Sequence, residues 1–321
     1  MNHAINELYG GFVDTLPIDL RPLARSLPHV LGLAPLPDTR WGDVFSNEVT
    51  LAAPALVGEV FPRVDGELTR RAVLAHALSV IEAFGMDRVA DGQVQATPEL
   101  MALLEHARAA RDSVLEKVWP GTSKASHAAD SEARDAIREE HELLSSLGAA
   151  TFSEYRRISL SKQAVGFPAS VALAKAAGAT ASQIEEIKRA LRGTWLGLQF
   201  EDDAVDWEDD WRRGQGAWAV SLARRRLEAV KELEADERPT EPDLIRRRVF
   251  SMQVLYLMLR EARHQYRSAW RYARILNARR LGAWAERRKI HVEELLPFEE
   301  RHAGYVVRAR KLAAWAAEVL S

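Results

Sequence analysis

The chain predicts an all-α protein folded as a single helical bundle. Apolar residues recur at three- and four-residue spacing through nearly every long segment. Alternating β-branched residues are almost absent, and Ala, Leu, Arg and Glu dominate. Gly and Pro clusters lie far apart, leaving long helices joined by short connections. With 321 residues, 47% of them hydrophobic and 28% charged, and a net charge of −2, the chain can bury a large core and has no basic excess that would suit nucleic acid. The absence of cysteine excludes disulfides, thiolate metal sites and a cysteine nucleophile. No apolar run approaches the roughly 20 residues of a membrane helix. The first residues lack the basic and apolar regions of a signal peptide, so the expected location is cytoplasmic.

Residues 1–45 contain Pro17, Pro22, Pro28, Pro35 and Pro37 and read as an N-terminal segment of short helices packed on the bundle. Residues 46–321 form the helical domain. Helices are expected near 47–61, 67–91, 97–117, 131–147, 150–178, 181–211, 217–234, 241–278, 280–288 and 298–320. The breaks fall at 119–131 and 234–243.

In the helix over 67–91, His76, Val80, Phe84, Asp87 and Asp91 share one stripe, and Asp91-Gly92 is a stop signal. A helix dipole disfavours acids at a C-terminus, so this pair calls for a compensating cation. A solvated helix end is the plain alternative. The helix over 150–178 sets Lys162 among Ile158, Ala164, Val165 and Phe167. A lysine so placed ordinarily snorkels to the surface. Arg156 and Arg157 are adjacent and cannot both face inward, and Pro168 predicts a kink.

The strongest signal follows in 181–214. Ile184, Ile187, Leu191, Trp195 and Leu198 keep helical spacing, and Asp202, Asp206 and Asp209 or Asp210 continue that face. Asp203, Asp206 and Asp210 form a second row, with Arg212 and Arg213 directly after. Stacked carboxylates must be paired, protonated or metal-bound unless they lie on a solvated face. Oxygen-only ligands favour Mg²⁺ or Mn²⁺ over zinc. In 241–288, arginines alternate with aromatics (Arg263, Tyr266, Arg267, Arg271), which would suit single-stranded nucleic acid. The near-neutral total charge opposes that reading. His264 has no partner at metal or catalytic spacing.

Two acidic helices, with a lysine-bearing helix between them in sequence, resemble the class I isoprenoid synthases. That superfamily includes the trans-prenyltransferases, the squalene and phytoene synthases, and the class I terpene cyclases. EDDAVD, holding Asp202, Asp203 and Asp206, is similar to the second D-D-x-x-D motif of the prenyltransferases. DWEDDWRRG, 206–214, is similar to the second acidic motif and trailing R-R-G of phytoene synthases. SLSKQAVGF resembles the prenyltransferase segment whose lysine contacts diphosphate, and EAFGMDRVADGQ resembles the first aspartate-rich motif.

The sequence also departs from these patterns. Met86 and Arg88 flank Asp87 where the first motif has a double aspartate, and Gly92-Gln93-Val94 replaces its R-R-G. Neither the G-K-x-x-R-P stretch that binds isopentenyl diphosphate nor the N-D-x-x-S-x-x-x-E triad of bacterial cyclases is present.

The resemblance implies an isoprenoid-synthase-like bundle around a central cavity, more than one Mg²⁺ (with Mn²⁺ as the alternative), and a prenyl diphosphate substrate. It implies Asp87, Asp91, Asp202, Asp203, Asp206 and Asp210 as metal ligands, with Asp87, Asp91, Asp202 and Asp206 catalytic. It gives Lys162, Arg157, Arg212 and Arg213 to diphosphate, and Phe84, Phe167 and Trp195 to the cavity lining. Homodimerisation is common in such folds. The expected activity is that of a terpene cyclase. A prenyltransferase or head-to-head condensing synthase is the alternative, and a non-catalytic helical partner protein the third reading.

Overall fold

Residues with high helix propensity fill the long segments, and every regular element among the described residues is helical. The computed structural model describes residues 2–45, 48–145, 149–212, 217–229, 249 and 253–320. In chain order the helices are α1 (Asn2–Thr15), α2 (Arg21–Arg25), α3 (Leu27–Val30), α4 (Trp41–Val44), α5 (Val49–Gly58), α6 (Gly66–Ala90) and α7 (Pro98–Val118). After them come α8 (Thr122–Ser145), α9 (Phe152–Lys162), a 3₁₀ turn (Gln163–Gly166), α10 (Pro168–Ala176), α11 (Ala181–Arg212), α12 (Trp218–Ala229), α13 (Val254–Ile275) and α14 (Arg279–Leu320).

The chain divides into two compact units. One comprises Met1–Arg138, Ser161–Leu191 and Ala269–Ala283; the other comprises Glu139–Leu160, Arg192–Ser268 and Trp284–Ser321. In the first, Tyr9, Phe12 and Trp41 from the N-terminal helices join Leu78 and Ile81 of α6 and Leu100, Leu103 and Leu104 of α7 in one apolar cluster. α6 and α7 approach closely at Gly85, where a Cβ would lie 2.6 Å from the Leu104 side chain. Both helices are capped. The Asp65 carboxylate accepts the Glu67 N–H at 3.1 Å, and the Thr97 hydroxyl accepts the Leu100 N–H at 3.2 Å just before Pro98. A fully buried guanidinium, Arg111, binds both oxygens of Asp130 at 2.7 Å and lies 3.7 Å from Glu82, linking α6, α7 and α8. Burial and the nearby Asp130 hold the Glu82 carboxyl above its usual range, with Arg111 opposing.

In the second unit the core is aromatic. Tyr155 packs on Phe200 and Trp218 with ring centroids 4.9 and 4.5 Å apart. Tyr266 lies over Gly197, where a Cβ would come within 2.5 Å of the ring. Its hydroxyl donates to Glu201 at 2.6 Å.

The all-α class agrees with the sequence reading, while several boundaries differ from it. α8 starts at Thr122 because Gly121 adopts φ +80° and the Glu116 carboxylate accepts the N–H groups of Gly121 and Ser123, which supports a helix start where a longer break was expected. The segment 150–178 divides into α9, the 3₁₀ turn and α10, with Pro168 as the first residue of α10. The segments 280–288 and 298–320 are one helix with Pro297 inside. The expected break at 234–243 lies outside the described residues.

Candidate active site

In the first unit the acidic end of α6 is built around Asp87 and Asp91. The Asp91 N–H donates to the Asp87 carbonyl at 2.9 Å, and Gly92 leaves the helix with φ +68°. Lys162, the last residue of α9, places Nζ 3.6 Å from Asp87 Oδ1. That oxygen is buried and has no hydrogen-bond partner, so the ammonium balances its charge without a close contact. The aspartate side chain is 28% exposed and the lysine 16%, so both remain within reach of a ligand. Phe84 is half-buried against the core and packs on Phe45 at 5.4 Å; Phe167 is half-buried where α10 begins.

In the second unit α11 keeps Trp195, Phe200 and Trp207 buried while Asp202 and Asp206 are exposed. The acidic run is not uniform. Glu201 is 4% exposed and bound by the Tyr266 hydroxyl and by Arg288, whose Nε lies at 3.2 Å, with His291 Nε2 at 3.6 Å. It is a neutralised structural acid. Asp202 has a different environment. Although its side chain reaches solvent, the protein around it displaces part of its water, and this loss of solvation, together with the carboxylates of Asp206, Asp210 and Glu201, pushes its pKa up to about 6, with Arg288 opposing. Asp203 turns inward, where its carboxylate accepts the Tyr155 hydroxyl and, at 2.9 Å, the Gln199 side-chain amide. Burial raises its pKa to about 8, opposed by those two hydrogen bonds and reinforced by Glu140 and Asp202.

The arginines expected to bind diphosphate have protein partners. Arg157 forms a two-pronged pair with Glu139, through Nη1 at 2.9 Å and through Nη2, and its neighbour Arg156 pairs with Glu261. Arg212 folds back on α11 to Glu208 and to Asp209 at 3.3 Å. Arg213 lies outside the described residues. Sequence reasoning missed Tyr155, Tyr266 and Arg288 as partners of the acidic helix. Tyr155 stands one helical turn from Ile158, and this apolar spacing was the available signal. Arg288 sits in an ordinary Arg-Arg-Lys run and carried no signal.

Among the described residues no three His, Asp or Glu side chains already converge as a metal site. The donor chemistry nevertheless fits a hard divalent cation. Each unit offers oxygen ligands: in the first, a buried carboxylate oxygen on Asp87 without a hydrogen bond, and in the second, a crowded carboxylate at Asp202. Mg²⁺ needs only one or two carboxylates from the protein when phosphate supplies the remainder.

No protein-family model matches the chain, and no curated protein matches it. Among solved structures it is similar to the polyprenyl synthetase from Streptomyces coelicolor A3(2), at 15% identity and a TM-score of 0.65 over 89% of this chain and 96% of that one. The chain therefore has an all-α, isoprenoid-synthase-like fold. No described helix is long and apolar enough to cross a membrane.

Proposed function

We propose that this protein is a Mg²⁺-dependent isoprenoid synthase that ionises a prenyl diphosphate, and that it acts as a terpene cyclase. The observation that carries this reading is the crowded carboxylate face of α11, where Asp202 stands among Asp206, Asp210 and Glu201 on an isoprenoid-synthase-like fold. The proposed metal ligands are Asp87 and Asp91 in the first unit and Asp202, Asp206 and Asp210 in the second, and Lys162 is the proposed diphosphate-binding residue. Mg²⁺, when bound, supplies Lewis-acid stabilisation of the departing diphosphate. Lys162, partly shielded beside Asp87, contributes a charge-assisted hydrogen bond to the same developing charge. Apolar side chains then shield the allylic cation from water, with Phe84, Phe167 and Trp195 as candidates; aromatic faces also attract a cation. The missing isopentenyl-binding stretch favours a one-substrate reaction.

Prenyl transfer or head-to-head condensation is the second reading, favoured by DWEDDWRRG. Purified protein incubated with Mg²⁺ and geranyl, farnesyl or geranylgeranyl diphosphate separates the two. A cyclic hydrocarbon or alcohol from one substrate, with diphosphate released, is expected. A product of doubled or extended carbon count selects the second reading. No diphosphate release from any substrate, with isopentenyl diphosphate added, leaves a non-catalytic helical partner protein.

A further inference from the structure

Adjacent side chains on an α-helix point about 100° apart, so Asp202 and Asp203 cannot serve the same face of α11. Protein donors occupy both oxygens of Asp203: the Tyr155 hydroxyl donates to Oδ2, and the Gln199 amide donates to Oδ1 at 2.9 Å. Tyr155 is completely buried and its ring is fixed by Phe200 and Trp218. Trp218 is itself held by an Nε1–H bond to Glu140 at 2.6 Å. On the same helix Asp202 and Asp206 are exposed. Turning Asp203 towards a metal would strip the buried Tyr155 hydroxyl of its acceptor in an aromatic surround, and an unsatisfied buried donor is costly.

We propose that Asp203 is a positioning residue rather than a metal ligand: held by Tyr155 and Gln199, it fixes the rotation of α11 so that Asp202 and Asp206 present their carboxylates to solvent. The second aspartate of the D-D-x-x-D-like run thus belongs to the core. This inference rests on the magnesium reading above, and its test separates the two.

Mn²⁺ serves as the probe, titrated into full-length protein with inorganic diphosphate present and followed by electron paramagnetic resonance against a protein-free control, with circular dichroism to verify folding. Asp202→Asn should weaken Mn²⁺ binding by about tenfold or more, because it removes a ligand oxygen. Asp203→Asn should bind within about threefold of wild type, since the carboxamide oxygen still accepts the Tyr155 hydroxyl and its NH2 donates to the Gln199 side-chain oxygen once that amide flips. Tyr155→Phe should weaken binding by about tenfold although Tyr155 ligates nothing, as expected when the support of a ligand is removed. If Asp203 is instead a ligand, Asp203→Asn falls as far as Asp202→Asn. Tyr155→Phe, by releasing the carboxylate, then leaves affinity unchanged or raises it. Either result overturns the inference while the magnesium reading survives. Wild-type protein that binds no Mn²⁺, or Asp202→Asn that binds as wild type does, overturns both.

Discussion

Lys162 and Asp87 stabilise each other in partly buried positions, and each would be costly there alone. The proposed role of Lys162 predicts that Lys162→Ala weakens diphosphate binding by about tenfold or more, the worth of one charge-assisted hydrogen bond. Competition by inorganic diphosphate measures it, and unchanged affinity and turnover would remove Lys162 from the site. His76 is a second single-residue determinant. Fully buried on α6, it donates Nε2–H to the Thr50 carbonyl at 3.0 Å, and burial lowers its pKa from 6.5 to about 4. Unfolded chains take up this proton near pH 6.5 and the folded protein only near 4. Its contribution is therefore intact above 6.5 and is lost as pH falls through that window, to a limit of about 3 kcal/mol. Denaturant unfolding at pH 7 and pH 4.5 should show a drop that is smaller in His76→Gln. An equal drop in both would exclude His76 as its source.

At the scale of the element, α11 keeps Trp195, Phe200 and Trp207 buried while Asp202 and Asp206 are exposed, and the proposed metal ligands of the second unit belong to that exposed side. Asp206 is exposed on that helix and is neither the acceptor of the Tyr155 hydroxyl, which is Asp203, nor the partner of Arg288, which is Glu201. Asp206→Ala should therefore abolish Mg²⁺-dependent turnover while helical content and the unfolding midpoint stay at or above wild type, since one like charge is gone. Loss of folding would make the acids structural and end the metal proposal. The helix and its buried apolar residues were legible. The expectation that Asp202 and Asp206 continue the buried face of Trp195 is corrected: the buried stripe runs on through Phe200, Ala204 and Trp207, and those two acids are exposed. Which acids are neutralised was not legible. Glu201 and Asp203 look like their neighbours in sequence, and only Arg288, Tyr266 and Tyr155, from distant segments, distinguish them. Arg157 shows the same limit, since its partner Glu139 lies 18 positions away. Helix starts were blurred where a side chain, as with Glu116 ahead of α8, supports a start beside a Pro-Gly pair.

For the whole molecule, the helical class was written in periodicity and in the scarcity of β-branched alternation, signals that average over many residues and tolerate local error. The division into two compact units had no such signal, since it depends on long-range packing rather than on linker composition. Tyr266 of α13 lies so close over Gly197 of α11 that the backbone of one helix is the floor for the ring of the other. Neither position is free to drift independently. In any set of related chains, a side chain gained at 197 should be matched by a smaller residue at 266. The Glu201 carboxylate, having lost the phenol, should then vary with them, making these three sites one heritable block.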